Sequence, residues 1–158
     1  MMKATTGLEG KKILVVDDEP DILESIQEIL AGCDVDTALD YHAALQKLNE
    51  ETYDLAVLDI MGVQGYELLE TAKAKKVRAV MLTGHALSPD NFAKSMGGGA
   101  DAYLPKDRLA ELDVFLADVL GDDDQRPGVL GRWFERLKDH YEKKFGPGWL
   151  EEYKGSWL

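Results

Sequence analysis

Side chains that could perform chemistry follow four short apolar runs in this sequence. The first run ends in Asp17 and Asp18, the second in Asp59 and the third in Thr83, and Lys106 follows the fourth. If these runs are neighbouring parallel strands, their carboxyl ends bring three carboxylates, a hydroxyl and an ammonium group to one edge of a sheet. Such a set of groups suits a divalent cation together with a phosphoryl group.

The three carboxylates favour a magnesium site. Two carboxylates about 4 Å apart repel each other by a few kcal/mol at a surface-like dielectric, and a bound cation relieves that repulsion. Mg²⁺ matches best because it is a hard ion that binds carboxylates, water and phosphate oxygens. The sequence holds one cysteine and three histidines, which form no cluster that would offer zinc or copper a site.

The same groups could take part in phosphoryl transfer. An isolated aspartate at a strand end beside a metal ion is a nucleophile toward phosphorus, and this is the role that we predict for Asp59. The transferred group carries charge on three oxygens, so its placement and neutralisation matter most. Mg²⁺ would contact one oxygen, the Lys106 ammonium would contact a second, and the Thr83 hydroxyl would donate to a third.

Five repeats of a strand followed by a helix would position these residues. Strands are predicted at 12–16, 35–38, 54–58, 77–82 and 102–104. Helices are predicted at 21–31 and 41–49, around 66–72, from Ser88 to the Gly97–Gly99 run, and after Asp107. Asp40, Ser88 and Asp107 are the predicted capping residues of three of these helices. The alternation predicts an α/β fold, a parallel sheet with helices on both faces and right-handed crossovers.

Composition narrows the class of protein. The 158 residues are 45% hydrophobic, which is enough for a buried core, and the net charge of −12 argues against nucleic-acid binding. Cys33 is the only cysteine, so no internal disulfide can form. The sequence lacks a signal-peptide pattern and any apolar run near the roughly 20 residues of a membrane span. We therefore expect a cytoplasmic protein with no membrane span.

The C-terminal tail differs chemically from the body. Residues 1–125 carry 11 basic and 25 acidic side chains, whereas residues 126–158 carry 7 basic and 5 acidic ones, a net charge of +2. Helical spacing of apolar residues predicts an amphipathic helix in the tail, ending at Gly146–Gly148. Four interpretations stay open: a helix docked on the body, a dimerisation or partner-binding element, a membrane-surface helix, and a DNA-reading module, for which the segment is small and weakly basic.

Four motifs together resemble the receiver domains of two-component response regulators. They are Ile13–Pro20 (ILVVDDEP), Leu58–Met61 (LDIM), Met81–Ala86 (MLTGHA) and Gly99–Lys106 (GADAYLPK). The resemblance covers roughly residues 10–121. It implies a flavodoxin-like, doubly wound sheet of five parallel strands in the order 2-1-3-4-5, here followed by a C-terminal helical extension.

The resemblance also implies a role for individual residues. Asp59 would accept a phosphoryl group from the phosphohistidine of a sensor histidine kinase or phosphotransfer protein. Asp18 would ligate Mg²⁺ directly, Asp17 partly through water, and Asp59 and the backbone carbonyl of Met61 would complete the protein ligands. Thr83 and Lys106 would contact the phosphoryl group. Thr83 and Tyr103 would form a switch, in which the tyrosine ring turns inward when the threonine moves toward phosphate.

The loop after Asp59 departs from the family pattern. Met61 lies two positions past Asp59, Gly62 follows it, and Gly65 is only six positions past Asp59, so the loop and the third helix are shortened. This shortening motivates an alternative, a degenerate receiver that acts as a constitutive interaction scaffold. A haloacid-dehalogenase-type phosphatase is a further alternative, but its first strand needs an Asp-x-Asp motif, which the adjacent pair Asp17-Asp18 does not supply.

The domain prediction follows from these observations. We expect a flexible leader at 1–10, a receiver domain at 11–121, a linker at 122–128 and an amphipathic helical tail at 129–158. The protein is expected to be a signalling switch and not an enzyme, to act on an unknown downstream protein and to carry no DNA-binding output domain. A homodimer stays open.

Overall fold

Five parallel strands form a single sheet in this structure, a computed structural model that describes residues 7–85, 87–121 and 130–153. The strands are β1 (Lys12–Val16), β2 (Asp34–Ala38), β3 (Leu55–Asp59), β4 (Arg78–Thr83) and β5 (Ala102–Pro105). They lie in the order β2-β1-β3-β4-β5. The predicted doubly wound fold and its strand order are therefore confirmed.

Helices connect the strands and extend beyond the last one. They are α1 (Pro20–Ile29), α2 (Tyr41–Glu50), α3 (Gly65–Ala74), α4 (Pro89–Gly97), α5 (Leu112–Gly121), α6 (Arg132–Phe145) and α7 (Trp149–Tyr153). α1 packs against α5, and α2 packs against α3. In the regions that the structure describes, no helix combines the length and the apolar character needed to cross a bilayer.

The register of the sheet brings the functional strand ends to one level. Val16 pairs with Leu58, and the next residue of β3, Asp59, pairs with Leu82. Thr83 in turn pairs with Pro105, which directly precedes Lys106. β3 lies between β1 and β4 and is buried along its whole length, as its LAVLD sequence predicts for a central parallel strand. The carboxyl ends of β1, β3, β4 and β5 thus lie at one edge of the sheet and bring the polar residues together there.

Two predicted helix starts are confirmed in atomic detail. The Asp40 carboxylate accepts a hydrogen bond from the Ala43 amide at 2.8 Å, and the Ser88 hydroxyl accepts one from the Asn91 amide at 3.1 Å. Pro89 occupies the first position of α4, where its missing N–H costs nothing. These local signals were sufficient because each cap acts within one helical turn.

The prediction that Asp107 caps the last helix was wrong. Lys106–Glu111 form a 3₁₀ helix, Arg108 leaves helical geometry with φ −113° and ψ 25°, and α5 begins only at Leu112. The Asp107 carboxylate instead lies 3.6 Å from the Lys144 ammonium on α6. Asp107 is therefore used for a contact with the tail and not for a cap.

The predicted flexible leader needs a partial correction. Leu8 is only 3% exposed and belongs to the hydrophobic core. The Gly10 amide donates to the Gly32 carbonyl at 2.9 Å, and the Cys33 thiol contacts the Leu8 carbonyl at 3.3 Å. Burial of its leucine thus holds this segment on the domain. Residues 1–6 and the predicted linker 122–128 lie outside the described residues.

The tail docks on the face made by α4, β5 and α5. α6 packs against α5, and α7 packs against α4. Phe92 of α4 is fully buried at the centre of a cluster of aromatic rings. Its ring neighbours, with centroids 4.9–6.3 Å away, are Tyr103, Trp133, Phe134, Tyr141 and Trp149. Of the four interpretations of the tail, the docked helix describes this structure.

Candidate functional site

Lys106 joins the acidic residues at the carboxyl end of the sheet. Its ammonium nitrogen lies 2.8 Å from Asp17 Oδ2, 3.3 Å from Asp59 Oδ1 and 3.2 Å from Glu19 Oε1. β1, β3 and β5 thus deliver groups from distant parts of the sequence to one point. The predicted convergence of Asp17, Asp59 and Lys106 is found in the structure, whereas their chemical roles stay predictions.

The acids after β1 could hold a metal ion. Carboxylate oxygens of Asp17, Asp18 and Glu19 lie within 4.8 Å of one another. Asp17 is fully buried, and its Oδ1 accepts the Glu19 amide at 2.9 Å, while the buried Oδ2 faces the Lys106 ammonium. An all-oxygen donor set with a buried carboxylate oxygen that has so few partners fits Mg²⁺.

Glu19 is a site residue that the sequence analysis missed. Its carboxylate pairs with Lys106, lines the cleft and belongs to the acidic group after β1. The run of three consecutive acids, Asp17-Asp18-Glu19, was the available signal. In the structure Asp59 is not within this compact acidic group, and the Lys106 ammonium contacts both Asp17 and Asp59.

The electrostatics of Asp59 favour a nearby cation. Burial, followed by the negative charge of Asp17, raises the pKa of Asp59 from 3.8 to about 6, although Lys106 acts in the opposite direction. Burial works to lower the pKa of Lys106, but its pairing with Asp17, Asp59 and Glu19 outweighs this effect, so the net pKa is raised. Lys106 therefore stays charged, while Asp59 is held ionised at neutral pH only against an unfavourable environment.

The shortened loop after β3 packs closely around the acids. A Cβ atom on Gly62 would lie 2.3 Å from Asp18 Oδ2, and one on Gly65 would lie 2.2 Å from the Asp59 carbonyl oxygen. Gly62 has φ +87°, and Gln64 adopts the left-handed conformation with φ 55°. The missing residues are thus compensated by backbone conformations and approaches that favour glycine.

An open cleft lies above these residues. It has a volume of about 390 Å³ and is lined by residues at or just after the ends of β1, β3, β4 and β5. Its lining residues are Asp18, Glu19, Asp59, Met61, Gly62, Thr83, Gly84, His85 and Lys106. Of these residues, Thr83 is buried and Met61 is 58% exposed. The cleft therefore brings the predicted acceptor, hydroxyl and ammonium groups within reach of a single small anion.

Tyr103 is fully buried, and its ring points inward. The Ser88 amide donates to its hydroxyl at 3.1 Å, and the hydroxyl lies 3.5 Å from the Ser88 carbonyl. Its own carbonyl accepts a hydrogen bond from the Tyr141 hydroxyl of α6. The sequence analysis singled out Tyr103 but not Tyr141, because the two are 38 positions apart and only the docked tail brings them together.

A 2-1-3-4-5 parallel sheet with an acidic cleft at its carboxyl edge defines a flavodoxin-like α/β domain with a candidate ligand site at the strand ends. The sequence profile of the response regulator receiver domain matches residues 13–116. The chain belongs to this family. Phosphorylation on aspartate and a bound Mg²⁺ are typical of its members, which are generally signalling proteins that interact with histidine kinases or phosphotransfer proteins.

Two relatives illustrate the similarity. The alkaline phosphatase synthesis transcriptional regulatory protein PhoP of Bacillus subtilis is 34% identical over 164 aligned residues, which cover 90% of this chain and 67% of PhoP. The transcriptional regulatory protein TcrA of Mycobacterium tuberculosis is 34% identical over 110 residues, 66% of this chain and 43% of TcrA. The chain thus spans about two thirds of the length of PhoP and less than half of TcrA.

Solved structures show the same likeness. A CheY-like receiver domain protein from Methanospirillum hungatei superimposes with a TM-score of 0.60 at 29% identity, covering 86% of this chain and 97% of that one. The response regulator DrrB of Thermotoga maritima, described as an OmpR/PhoB homologue, gives a TM-score of 0.64 at 27% identity and covers 75% and 56%.

Gly62 offers a direct test of the metal site. Gly62→Ala should weaken Mg²⁺ binding by about 10- to 100-fold, because the added methyl group would push the Asp18 carboxylate away. Isothermal titration calorimetry with MgCl₂ measures the change. Gly146→Ala is the matched control, since Gly146 also has a positive φ (+94°) but open space around its Cβ position. Equal Mg²⁺ affinity in the two variants would contradict the assignment.

Proposed function

We propose that this chain accepts a phosphoryl group on Asp59 from the phosphohistidine of a sensor histidine kinase or phosphotransfer protein. Mg²⁺ would be held by Asp17, Asp18, Asp59 and the backbone carbonyl of Met61. The single observation that carries the proposal is the contact of the Lys106 ammonium with both Asp17 (2.8 Å) and Asp59 (3.3 Å). This contact supports the proposal, because a cation beside Asp59, at the edge where such folds bind ligands, could neutralise a phosphoryl group.

The proposed chemistry is a displacement at phosphorus. A carboxylate oxygen of Asp59 forms the new P–O bond while the P–N bond of the donor breaks, and the departing imidazole takes up a proton. Bound Mg²⁺ supplies charge neutralisation for a phosphoryl oxygen. The Lys106 ammonium neutralises a second oxygen, and the Thr83 hydroxyl donates a hydrogen bond to a third. The aspartyl phosphate is the product and the signal.

Lys106 would have two successive partners in this scheme. Without a phosphoryl group it pairs with the Asp17 and Asp59 carboxylates, as in the structure. After transfer, the phosphoryl oxygens offer more negative charge than the Asp59 carboxylate did, so the ammonium would favour them. Such an exchange of partners gives the segment that follows β5 a reason to respond to phosphorylation.

We further propose that the chain signals through protein–protein contacts in the cytoplasm, without reading DNA itself. The net charge of −12 opposes binding to a nucleic-acid backbone. Of the described residues beyond the family match, five apolar ones in α6 and α7 are buried in the packing on the receiver, namely Trp133, Phe134, Leu137, Tyr141 and Trp149. PhoP and TcrA are named as transcriptional regulators, and those names describe the two relatives and not this chain.

Labelling with a small phosphodonor tests the acceptor function. Wild-type protein incubated with acetyl phosphate and MgCl₂ should give a retarded band on a Phos-tag gel, and EDTA should abolish that band because the cation is required. A purified histidine kinase with its radiolabelled phosphohistidine is the second donor. Absence of labelling from both donors would contradict the proposal.

The alternative is a degenerate receiver that acts as a constitutive scaffold. The observation that favours it is the shortened loop, with positive φ angles at Gly62 and Gln64. Melting temperatures discriminate the two functions, because a ligand that binds only the folded state raises the melting temperature. If the site accepts phosphoryl groups, Mg²⁺ should raise the melting temperature, and beryllofluoride, an analogue of the phosphoryl group, should raise it further. The melting temperature of a scaffold should change with neither addition.

A further inference from the structure

Tyr141 of the tail contacts the backbone of the outermost strand of the sheet. It is fully buried, and its hydroxyl donates to the Tyr103 carbonyl of β5. β5 is the edge strand of the sheet and pairs with β4. This bond gives the buried Tyr141 hydroxyl its polar partner and ties α6 to β5.

Tyr103 in turn holds the segment that follows Thr83. Its hydroxyl accepts the Ser88 amide at 3.1 Å, and Ser88 lies five positions after Thr83 and begins α4. Gly84 and His85, which follow Thr83, line the cleft. One end of this segment is therefore anchored in β4 by Thr83, and the other end is anchored by Tyr103.

Ring contacts support the same path. The ring centroids of Tyr141 and Tyr103 are 6.1 Å apart. The Phe92 ring of α4 contacts both, with its centroid 5.7 Å from that of Tyr141 and 5.4 Å from that of Tyr103. A second contact links α6 to the site, since Asp107, which follows Lys106, pairs with Lys144. The tail thus touches both chain segments that run from the phosphoryl-binding residues, the one after Thr83 and the one after Lys106.

We infer that Tyr141 is a positioning residue, which holds Tyr103 inward and thereby fixes Ser88 at the start of α4, on the β4–α4 side of the cleft that would receive a phosphoryl group. The inference rests on the proposed function of that cleft. A pre-ordered segment loses less conformational entropy when a ligand binds, so docking of the tail increases the affinity of the cleft for a phosphoryl group. By linkage, a bound phosphoryl group must tighten the docking of α6 by the same factor.

Tyr141→Phe separates this role from simple packing, because the ring stays and only the hydroxyl is lost. We expect the affinity for beryllofluoride in saturating Mg²⁺ to fall by about three- to tenfold. The affinity for Mg²⁺ alone should stay unchanged, because the Tyr141 hydroxyl donates to β5, whereas the acids that would hold Mg²⁺ follow β1 and β3. Amide hydrogen exchange at Ser88 should become faster.

Tyr53→Phe is the matched control. The Tyr53 hydroxyl donates to Asp36 Oδ2 at 2.7 Å, so the variant also loses one tyrosine hydrogen bond, but Tyr53 precedes β3, at the amino-terminal end of the sheet. Its melting temperature should fall while its beryllofluoride affinity stays at the wild-type value.

The outcomes distinguish the inference from the proposed function. If beryllofluoride fails to bind wild-type protein, both are overturned. If wild type binds it and Tyr141→Phe binds it equally well, only the positioning role is overturned. If Tyr53→Phe loses as much affinity as Tyr141→Phe, the effect reflects general stability, and the positioning role is again overturned.

Discussion

Asp59→Asn is expected to abolish phosphoryl labelling and, at the same time, to stabilise the fold. An amide cannot act as the nucleophile, so labelling should fall below detection. The stability gain should be about 1–3 kcal/mol near pH 7.5 in EDTA, because the substitution removes a buried carboxylate whose pKa is raised to about 6, first by burial and then by Asp17. Phos-tag gels and urea denaturation measure the two effects.

The pH dependence of this gain has a definite sign. Between the ordinary pKa of 3.8 and the folded-state pKa of about 6, the folded protein holds a proton that the unfolded chain has released. Stability supplied by that proton is present at low pH and is lost as the pH rises through about 6. The advantage of Asp59→Asn should therefore be complete near pH 7.5 and vanish near pH 4.

A second buried carboxylate provides the contrast. Asp118 is as buried as Asp59, but the Arg136 guanidinium pairs with it at 2.6 Å. Asp118→Asn should therefore lower stability under the conditions in which Asp59→Asn raises it. Residual labelling of Asp59→Asn, or a loss of stability on that substitution near pH 7.5, would contradict the proposed acceptor site.

Phe92→Ala is expected to cause the largest loss of stability. Phe92 is fully buried, and its ring contacts five aromatic rings from β5, α6 and α7. Truncating such a side chain costs about 3–5 kcal/mol, which corresponds to a melting temperature lower by roughly 10 °C in a domain of this size. Thermal denaturation measures the loss, and hydrogen exchange should show faster exchange along α6 as docking weakens.

Phe145→Ala tests whether the loss of stability depends on the position of the truncated ring within the aromatic cluster. Phe145 ends α6, is only partly buried and stacks on Tyr141 with centroids 5.5 Å apart. Because Phe145 contributes less buried area than Phe92, its truncation should lower the free energy of unfolding by well under half as much as Phe92→Ala does. A Phe92→Ala variant that melts like wild type, or that keeps wild-type exchange in α6, would show that the aromatic cluster does not hold the tail.

Local patterns explain why most of the fold could be predicted. The apolar runs mark all five strands to within one or two residues, and the caps at Asp40 and Ser88 were found because a cap needs partners within one turn. The order of the strands came from the resemblance to receivers, since periodicity does not say which strands are neighbours. The prediction of a helix cap at Asp107 failed because the partner of this carboxylate, Lys144, is remote in the sequence and could not be foreseen from local patterns.

The positions of the candidate site residues were predictable for those that stand at the end of a strand, whereas their chemical roles stay predictions. Parallel strands bring their carboxyl ends to one edge of the sheet, so a residue that ends a strand in the sequence can be assigned to that edge. This applies to Asp17, Asp18, Asp59, Thr83 and Lys106. Glu19 was missed, since its use depends on Lys106, 87 positions away. The close approach of Gly62 to Asp18 could not be foreseen either, because it depends on how the shortened loop closes.

The linear order of residues was thus sufficient for the α/β fold, the edge at which polar groups gather and the chemistry that they could support. Packing in three dimensions was needed for the place of the tail, the burial of Leu8 and the bond between Tyr141 and Tyr103. The physical reason is range: helix caps and strand periodicity act between neighbours along the chain. Aromatic packing and ion pairs join side chains that only the completed fold brings together.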